Sequence, residues 1–171
     1  MQVLKQYRSG KIPLESALEA VRTISHSFSE AERDEAVAFL SELDHPEAQR
    51  ELLQIFRNSQ WRTTRLRIIG ALSKNPTERT LEALFGIASD ESDLPMCEES
   101  IWTLGRSGNR LAARFLIEAF ETASSTIRPA IIAALGQIPD RSIAQKFLEL
   151  LPAAIEKKDF LLAKNLILSL A

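Results

Sequence analysis

The sequence predicts an all-α protein, a right-handed α-solenoid in which antiparallel helix pairs stack into a superhelix. The first observation is a repeat, since leucines with matching surroundings recur every 31 or 32 residues, at Leu40, Leu72, Leu104 and Leu135. The second is composition: good helix formers are abundant, while 171 residues contain only 6 Gly and 7 Pro. A single helix pair cannot bury both of its apolar faces, so neighbouring pairs must stack.

The repeat extends to both sides of each leucine, which we call the anchor of its copy. Positions twelve and thirteen after the anchor are apolar in every copy: Leu52 and Leu53, Leu84 and Phe85, Leu116 and Ile117, Phe147 and Leu148. Positions four and three before it hold Ala36 and Val37, Ile68 and Ile69, Ser100 and Ile101, Ile131 and Ile132. Such agreement across four copies is hard to obtain by chance, so the repeat is the firmest basis for the prediction.

The N-terminal residues 1–28 are predicted to form an atypical capping repeat. A short helix over 1–9 ends at Gly10, and Pro13 precedes a helix whose apolar stripe runs over 14–24. Ser29 followed by Glu32 indicates a capping box that opens a helix over about 30–43.

Further helices are predicted near 46–57, 62–74, 77–89, 95–107, 109–122, 126–138, 140–156 and 159–171. Pro152 falls inside one of them and predicts a kink or a break. Four matched repeats then cover 29–151, with a half-repeat over 152–171. Because no linker interrupts the pattern, one domain is predicted over 1–171.

The C-terminal stretch FLLAKNLILSLA repeats the anchor pattern at Leu170 and places Leu166 and Ile167 in the core. It lacks a polar closing helix, and an exposed apolar end is unfavourable for a stacked array. This pattern predicts either further repeats or self-association with another subunit at that end.

The charge and cysteine content narrow the class of protein. The formal net charge of −2 provides no general attraction to nucleic acid or to an anionic membrane. One cysteine excludes an internal disulfide, and neither a leader nor a run long enough to cross a bilayer is evident. The sequence therefore predicts a cytoplasmic protein without membrane contact.

The anchor segments ALSK, TLGR and AALG, each followed by a short turn and an apolar helix, resemble HEAT-like repeats of the armadillo-like class. The copy AIIAALGQIPDRSIAQKFLELL is most similar to the short bacterial repeats named after phycobilisome (bilin) lyases. The resemblance covers about 29–151 and implies that the second helix of each pair lines a concave side. It also implies an arginine early in that helix that ties consecutive repeats together. Arg33, Arg65 and Arg128 match this arginine, and the third copy has Cys97 instead.

No catalytic residue, metal site or cofactor is predicted. The two histidines, His26 and His45, have no other His or Cys near them in sequence, whereas zinc and iron sites need several convergent ligands. Cys97 is followed by two glutamates, which favours an inert, buried thiol over a nucleophile. The loop over 105–110, GRSGNR, is interpreted as a turn between repeats, with an anion cradle as the alternative.

The predicted function is a non-catalytic protein-interaction scaffold. Positions on the implied concave side combine one large aromatic side chain with small neighbours, and form a proposed contact patch of Trp102, Leu66, Gly70 and Ala133. The partner would be a helix or a peptide of another protein. The alternative for Trp102 is a place in the core between helices.

Two other functions remain open. The segment RNSQWRTTRLR could bind a nucleic-acid backbone through Arg57, Trp61, Arg62, Arg65 and Arg67. The overall acidity disfavours this, and the acidic segment DESDLPMCEE offers charge compensation instead. The family resemblance implies the other alternative, a bilin lyase-like or chromophore-handling subunit that acts with a second HEAT-like partner.

Overall fold

The computed structural model describes residues 2–43 and 45–170, and this part of the chain is all-α, as predicted, with no strand. Its α-helices are α1 (Gln2–Arg8), α2 (Leu14–Ser25), α3 (Glu30–Glu42), α4 (Pro46–Asn58), α5 (Arg62–Ala71), α6 (Glu78–Ala88), α7 (Leu94–Arg106), α8 (Arg110–Thr122), α9 (Arg128–Leu135), α10 (Arg141–Glu156) and α11 (Phe160–Leu168). A short 3₁₀ helix, Glu91–Asp93, precedes α7. The first and last predicted helices include Met1 and Ala171, which lie outside the described residues.

The helix ends follow the local chemistry. Ser29 caps α3 by accepting a hydrogen bond from the Glu32 N–H at 3.4 Å, as the predicted capping box requires. The second bond of the predicted capping box is not formed, because the Glu32 carboxylate accepts from the Ser27 hydroxyl and the Ser29 N–H donates to Ser27 Oγ at 3.1 Å. No helix of the described part is both long enough and apolar enough to cross a membrane.

The chain divides into two compact units, the first ending at Thr80 and the second beginning at Leu81. The boundary falls within α6.

In the first unit, α3 packs against α2 and α4 and also against α5, the next helix but one. The anchors Leu40 and Leu72 are buried in its core together with Phe39, Leu52, Ile68 and Ile69. Arg22 crosses from α2 to α4, where its Nε and Nη2 atoms donate to one oxygen of the buried Glu51, at 2.9 and 2.7 Å. The apolar stripes predicted from the repeat therefore form the core of this unit.

In the second unit, α7 packs on α8 and α9, while α9 also packs on α11. The anchors Leu104 and Leu135 are buried. A Cβ atom added to Gly105 would lie 2.7 Å from the carbonyl oxygen of Ala134, and one added to Gly136 would lie 3.0 Å from Cβ of Ser169. Each glycine directly follows an anchor, and the residue that it contacts, Ala134 or Ser169, directly precedes the anchor of the next copy. The contact of α7 with α9 and that of α9 with α11 therefore use equivalent positions.

Two of the arginines that match between copies, Arg65 and Arg128, make equivalent contacts, which we call the matched pairs, whereas Arg33 lies over the Trp61 ring instead. The Arg65 guanidinium lies 4.7 Å from the ring centre of Phe56, and that of Arg128 lies 5.4 Å from the ring centre of Phe120. In the copy without the arginine, the thiol of Cys97 donates to the carbonyl of Ala88 at 3.1 Å. Phe56, Ala88 and Phe120 all lie sixteen residues after an anchor, so the small cysteine meets a small residue where the arginines meet a ring.

Two expectations for the last helices need correction: α10 does not break at Pro152, although a kink there stays a prediction, and Ile167 does not lie in the core. α10 continues through Pro152 to Glu156 without a break. The missing N–H of Pro152 affects the carbonyl of Leu148, which lies in an exposed turn where solvent can replace the lost hydrogen bond. Ile167 is exposed and not in the core, although Leu166 is buried as predicted. No element of the described chain covers the side of α11 that carries Ile167.

Candidate functional site

The four residues of the predicted contact patch are all half-buried. In the second unit, Trp102 lies on α7 and Ala133 on α9, two helices that pack against each other. In the first unit, Leu66 and Gly70 lie one turn apart on α5. Trp102 is therefore neither fully in the core nor fully in solvent, and each unit keeps part of these side chains accessible.

Within the predicted basic segment, Trp61 contacts two residues from outside that segment, Phe28 and Arg33. The Trp61 ring is half-buried, with the Phe28 ring edge-on at 6.1 Å and the Arg33 guanidinium 4.3 Å from its centre. Arg33 is itself buried; its Nε donates to Thr64 Oγ1 at 3.0 Å and its Nη1 to the Ser27 carbonyl at 2.6 Å. A cation of the protein thus already occupies the vicinity of the aromatic ring, and Arg33 ties α3 to α5.

The remaining arginines of that segment go to different neighbours. Arg67 pairs with Asp34 at 2.7 Å and with Glu30 at 3.3 Å. Arg65 covers Phe56, while Arg62 is exposed at the first position of α5. Arg65 and Arg67 are therefore engaged by groups of the protein itself.

Arg57 contributes to a cleft of about 390 Å³ in the first unit. The cleft is lined by Arg50, Leu53, Gln54, Arg57, Asn58 and Arg79. Arg50 pairs with Glu47, whereas Arg57 and Arg79 have no carboxylate partner within the described parts of the chain. The repeat does not reveal this cleft, because the position of Arg79, seven residues after an anchor, holds Glu47, Leu111 and Ser142 in the other copies.

Cys97 is buried, as predicted. Burial, assisted by the nearby Glu91, Glu98 and Asp90 carboxylates, raises the pKa of its thiol to about 11. A neutral thiol is a poor nucleophile, and of the two glutamates that follow Cys97 in the sequence, Glu98 is one of the groups that disfavour the thiolate.

The arginines of the loop over 105–110 face carboxylates. Arg106 pairs with Glu99 at 2.7 Å, and Arg110 lies 3.5 Å from Asp140. The loop turns at Gly108, which has a φ of 62°, and Asn109 caps α8. These contacts are those of a turn between helices. Among the described residues, no group of three or more His, Cys, Asp or Glu side chains could hold a metal ion.

A cavity of about 380 Å³ lies between α8, α9, α10 and α11 of the second unit. Its wall is mainly apolar and includes Ile117, Phe120, Ile132, Leu135, Phe147, Leu150, Ala153, Ala154 and Leu162. Its charged residues are Arg128, Lys146, Lys157, Glu121 and Asp159. The sequence does not reveal this cavity, because it is a space between four helices and no single helical stripe marks it.

The last two helices carry most of the exposed large apolar side chains of the described chain. We call Leu148 and Ile155 on α10, with Leu161, Ile167 and Leu168 on α11, the apolar rows; these residues are 54–62% exposed. The equivalent of Leu148 in the first copy, Leu53, is only 5% exposed. The same register position is thus covered in one copy and uncovered in another.

No family model matches this chain, and no curated protein is similar to it at a significant level.

Proposed function

We propose that the protein is a non-catalytic scaffold of HEAT-like helix pairs, stacked in a right-handed superhelix, that binds another protein through exposed apolar side chains. The contacts between alternate helices support the stacking. α3 meets α5 in the first unit, and α7 meets α9 and α9 meets α11 in the second. Stacked pairs produce contacts of this kind, because the same helix of each pair lies beside its counterpart in the next.

The observation that carries the binding function is the pair of apolar rows. Leu148 and Ile155 are seven residues apart and share one face of α10, and Leu161 and Leu168 share one face of α11 in the same way. Large apolar side chains at these exposures are costly in water, and groups of them mark protein contact sites. The partner that fits is a helix or helix pair with an apolar face, because such a face would remove both rows from water.

Trp102 is the second proposed contact. It is the largest side chain of the predicted concave patch, and it is half-buried on α7, which packs against the helix α9 that carries Ala133. A partly exposed tryptophan offers a partner a large apolar area, and tryptophan is enriched among the residues that contribute most to binding energy in interfaces.

The test is affinity capture from native lysate with three variants and the wild type as bait. Leu161→Ser combined with Leu168→Ser disrupts the apolar row of α11, and Trp102→Ala removes the concave contact. Leu94→Ser is the matched control, because Leu94 is also an exposed apolar residue of the second unit, at 42%, but lies at the start of α7. Circular dichroism verifies that all four proteins are equally folded.

We expect the wild type and Leu94→Ser to capture a protein that the α11 double variant does not capture. Once purified, this partner should bind the wild type and Leu94→Ser with similar affinity and the α11 double variant more weakly. Loss with Trp102→Ala as well would place Trp102 in the interface. Equal capture by all four baits, or equal binding of the purified partner, would refute the proposal.

A further inference from the structure

We propose that the cavity between α8, α9, α10 and α11 binds a small amphiphilic anion, a molecule with an apolar body and one acidic group. This site is separate from the protein-binding proposal and does not rest on it. The cavity lies within one compact unit, and its wall does not include any residue of the apolar rows.

The apolar part of the wall determines the body of the ligand. Among the apolar lining residues, Phe120, Leu150 and Leu162 are half-buried, and Ile132 and Phe147 are buried. The volume of about 380 Å³ is in the range of small-molecule pockets, which are mostly apolar with few polar groups. An aliphatic body of moderate length would therefore remove apolar surface from water on both sides of the contact.

The charged part of the wall determines the head group. The lining includes three cations, Arg128, Lys146 and Lys157, and two carboxylates, Glu121 and Asp159. The Asp159 carboxylate already accepts a hydrogen bond from the Leu162 N–H at 3.0 Å. None of the three cations has an ion pair with any part of the chain that the structure describes. One added negative charge would balance the lining, whereas a cationic ligand would increase its positive charge.

Arg128 is the best-positioned of the three cations. Its guanidinium packs over Phe120, and its buried Nε donates no hydrogen bond to a described residue. The ring and the surrounding helices therefore hold the guanidinium in place at the cavity wall. A positioned guanidinium loses little freedom when a carboxylate binds to it, and the pair is strong because the site is partly shielded from water.

The first experiment is a calorimetric titration of the full chain with three probes of equal chain length, decanoate, decan-1-ol and decylammonium, each below its aggregation concentration. We expect saturable binding of decanoate at a single site. Its affinity should exceed that of decan-1-ol by about tenfold or more, because a charge-assisted contact is stronger than a neutral one. Decylammonium should bind most weakly of the three.

Variants locate the binding. Ala153→Trp places a large side chain in the cavity from an exposed position, and we expect it to abolish decanoate binding while circular dichroism stays unchanged. Lys146→Gln with Lys157→Gln should weaken decanoate binding by about tenfold and leave decan-1-ol binding unaffected. Lys164→Gln is the matched control, because Lys164 is an exposed cation of α11 outside the cavity wall, and its decanoate affinity should equal that of the wild type.

Three results would overturn the proposal. Equal affinities for decanoate and decan-1-ol would show that the cations do not select the ligand. Decanoate binding that survives Ala153→Trp but is lost in Leu161→Ser with Leu168→Ser would assign it to the apolar rows. Sedimentation with vesicles containing phosphatidylglycerol, without binding of free decanoate, would assign the anion to a membrane surface and not to a soluble ligand.

Discussion

Single side chains connect the copies, and Arg33 does so with a buried charge. It has no carboxylate partner among the residues described; instead the Thr64 hydroxyl, the Ser27 carbonyl and the Trp61 ring surround it. A buried cation held only by neutral groups depends on each of them, since the loss of one leaves a donor unpaired.

We expect Thr64→Val to lower the free energy of unfolding by about 1–3 kcal/mol, because the nearly isosteric valine cannot accept the hydrogen bond from Arg33 Nε. Urea unfolding monitored by circular dichroism measures the change. Thr63→Val is the control, because Thr63 is the exposed neighbour on the same helix. Equal midpoints for the two variants would show that the Thr64 hydroxyl does not support Arg33.

The raised pKa of Cys97 predicts how the free energy of unfolding depends on pH. Folding raises the pKa of its thiol from the ordinary 9.0 to about 11, so the folded protein holds this proton more tightly than the unfolded chain. The resulting contribution to the free energy of unfolding is complete below pH 9.0 and is lost as the pH rises towards about 11. The difference in unfolding free energy between wild type and Cys97→Ala, measured at about pH 8 and about pH 10.5, should therefore shrink at the higher pH. A difference that does not change with pH would contradict the raised pKa.

At the scale of helices, the contact between α7 and α9 depends on the absence of a side chain at Gly105. A Cβ atom there would meet backbone and not the flexible end of a side chain, so the helices themselves would have to separate. The sequence pattern places a small residue at this position in every copy, namely Ser41, Ser73, Gly105 and Gly136.

Gly105→Ala should therefore lower the free energy of unfolding by about 1–3 kcal/mol, despite the higher helix propensity of alanine. Gly86→Ala on α6 is the control, because nothing lies within 4 Å of its added Cβ. That variant should be more stable than the wild type by about 0.4–1 kcal/mol. Thermal unfolding of both proteins checks the opposite signs, and a stabilised Gly105→Ala would show that α7 and α9 can move apart freely.

Most helices can be predicted from the sequence, because the period of the apolar residues and the capping residues act locally. Ser29 marks the start of α3, and Pro46 and Pro95 lie in the first turns of α4 and α7, where proline is tolerated. The errors come from the surroundings. Ile167 has the register of a core residue, and register alone cannot show whether another element covers it. Pro152 is tolerated because its face of α10 is exposed.

At the scale of the whole molecule, the apolar rows should make the purified chain associate with itself when no partner is present. Sedimentation velocity of the wild type should show a sedimentation coefficient that increases with protein concentration, because association removes apolar surface from water. Leu161→Ser with Leu168→Ser should remove most of that dependence, and Leu94→Ser should retain it. A wild type that stays monomeric over the whole concentration range would show that exposing the apolar rows to water is not unfavourable enough to cause self-association.

The candidate sites could be predicted only in part, for a physical reason. A repeat identifies positions that face inward or outward. From their positions Trp102 and Ala133 could therefore be expected to lie outside the core stripe, and both are partly accessible. It does not determine how tightly successive helices close, and the cavity beside Phe120 depends on that closure. Nor does it specify which cations meet carboxylates: Arg67 is paired with Asp34, while Arg57 and Arg79 share a cleft.

The matched pairs also limit how copies of such a unit can diverge. A copy with Arg65 opposite Phe56 becomes one like Cys97 opposite Ala88 only through two substitutions. If the arginine changes first, a gap opens beside the ring; if the ring changes first, the guanidinium loses its cover. Because the two residues touch, the cost of each change depends on the other. Whether a substitution at one position of a matched pair is tolerated therefore depends on the residue at the other position. Among duplicated copies, the two residues of a pair are expected to change together more readily than either residue alone.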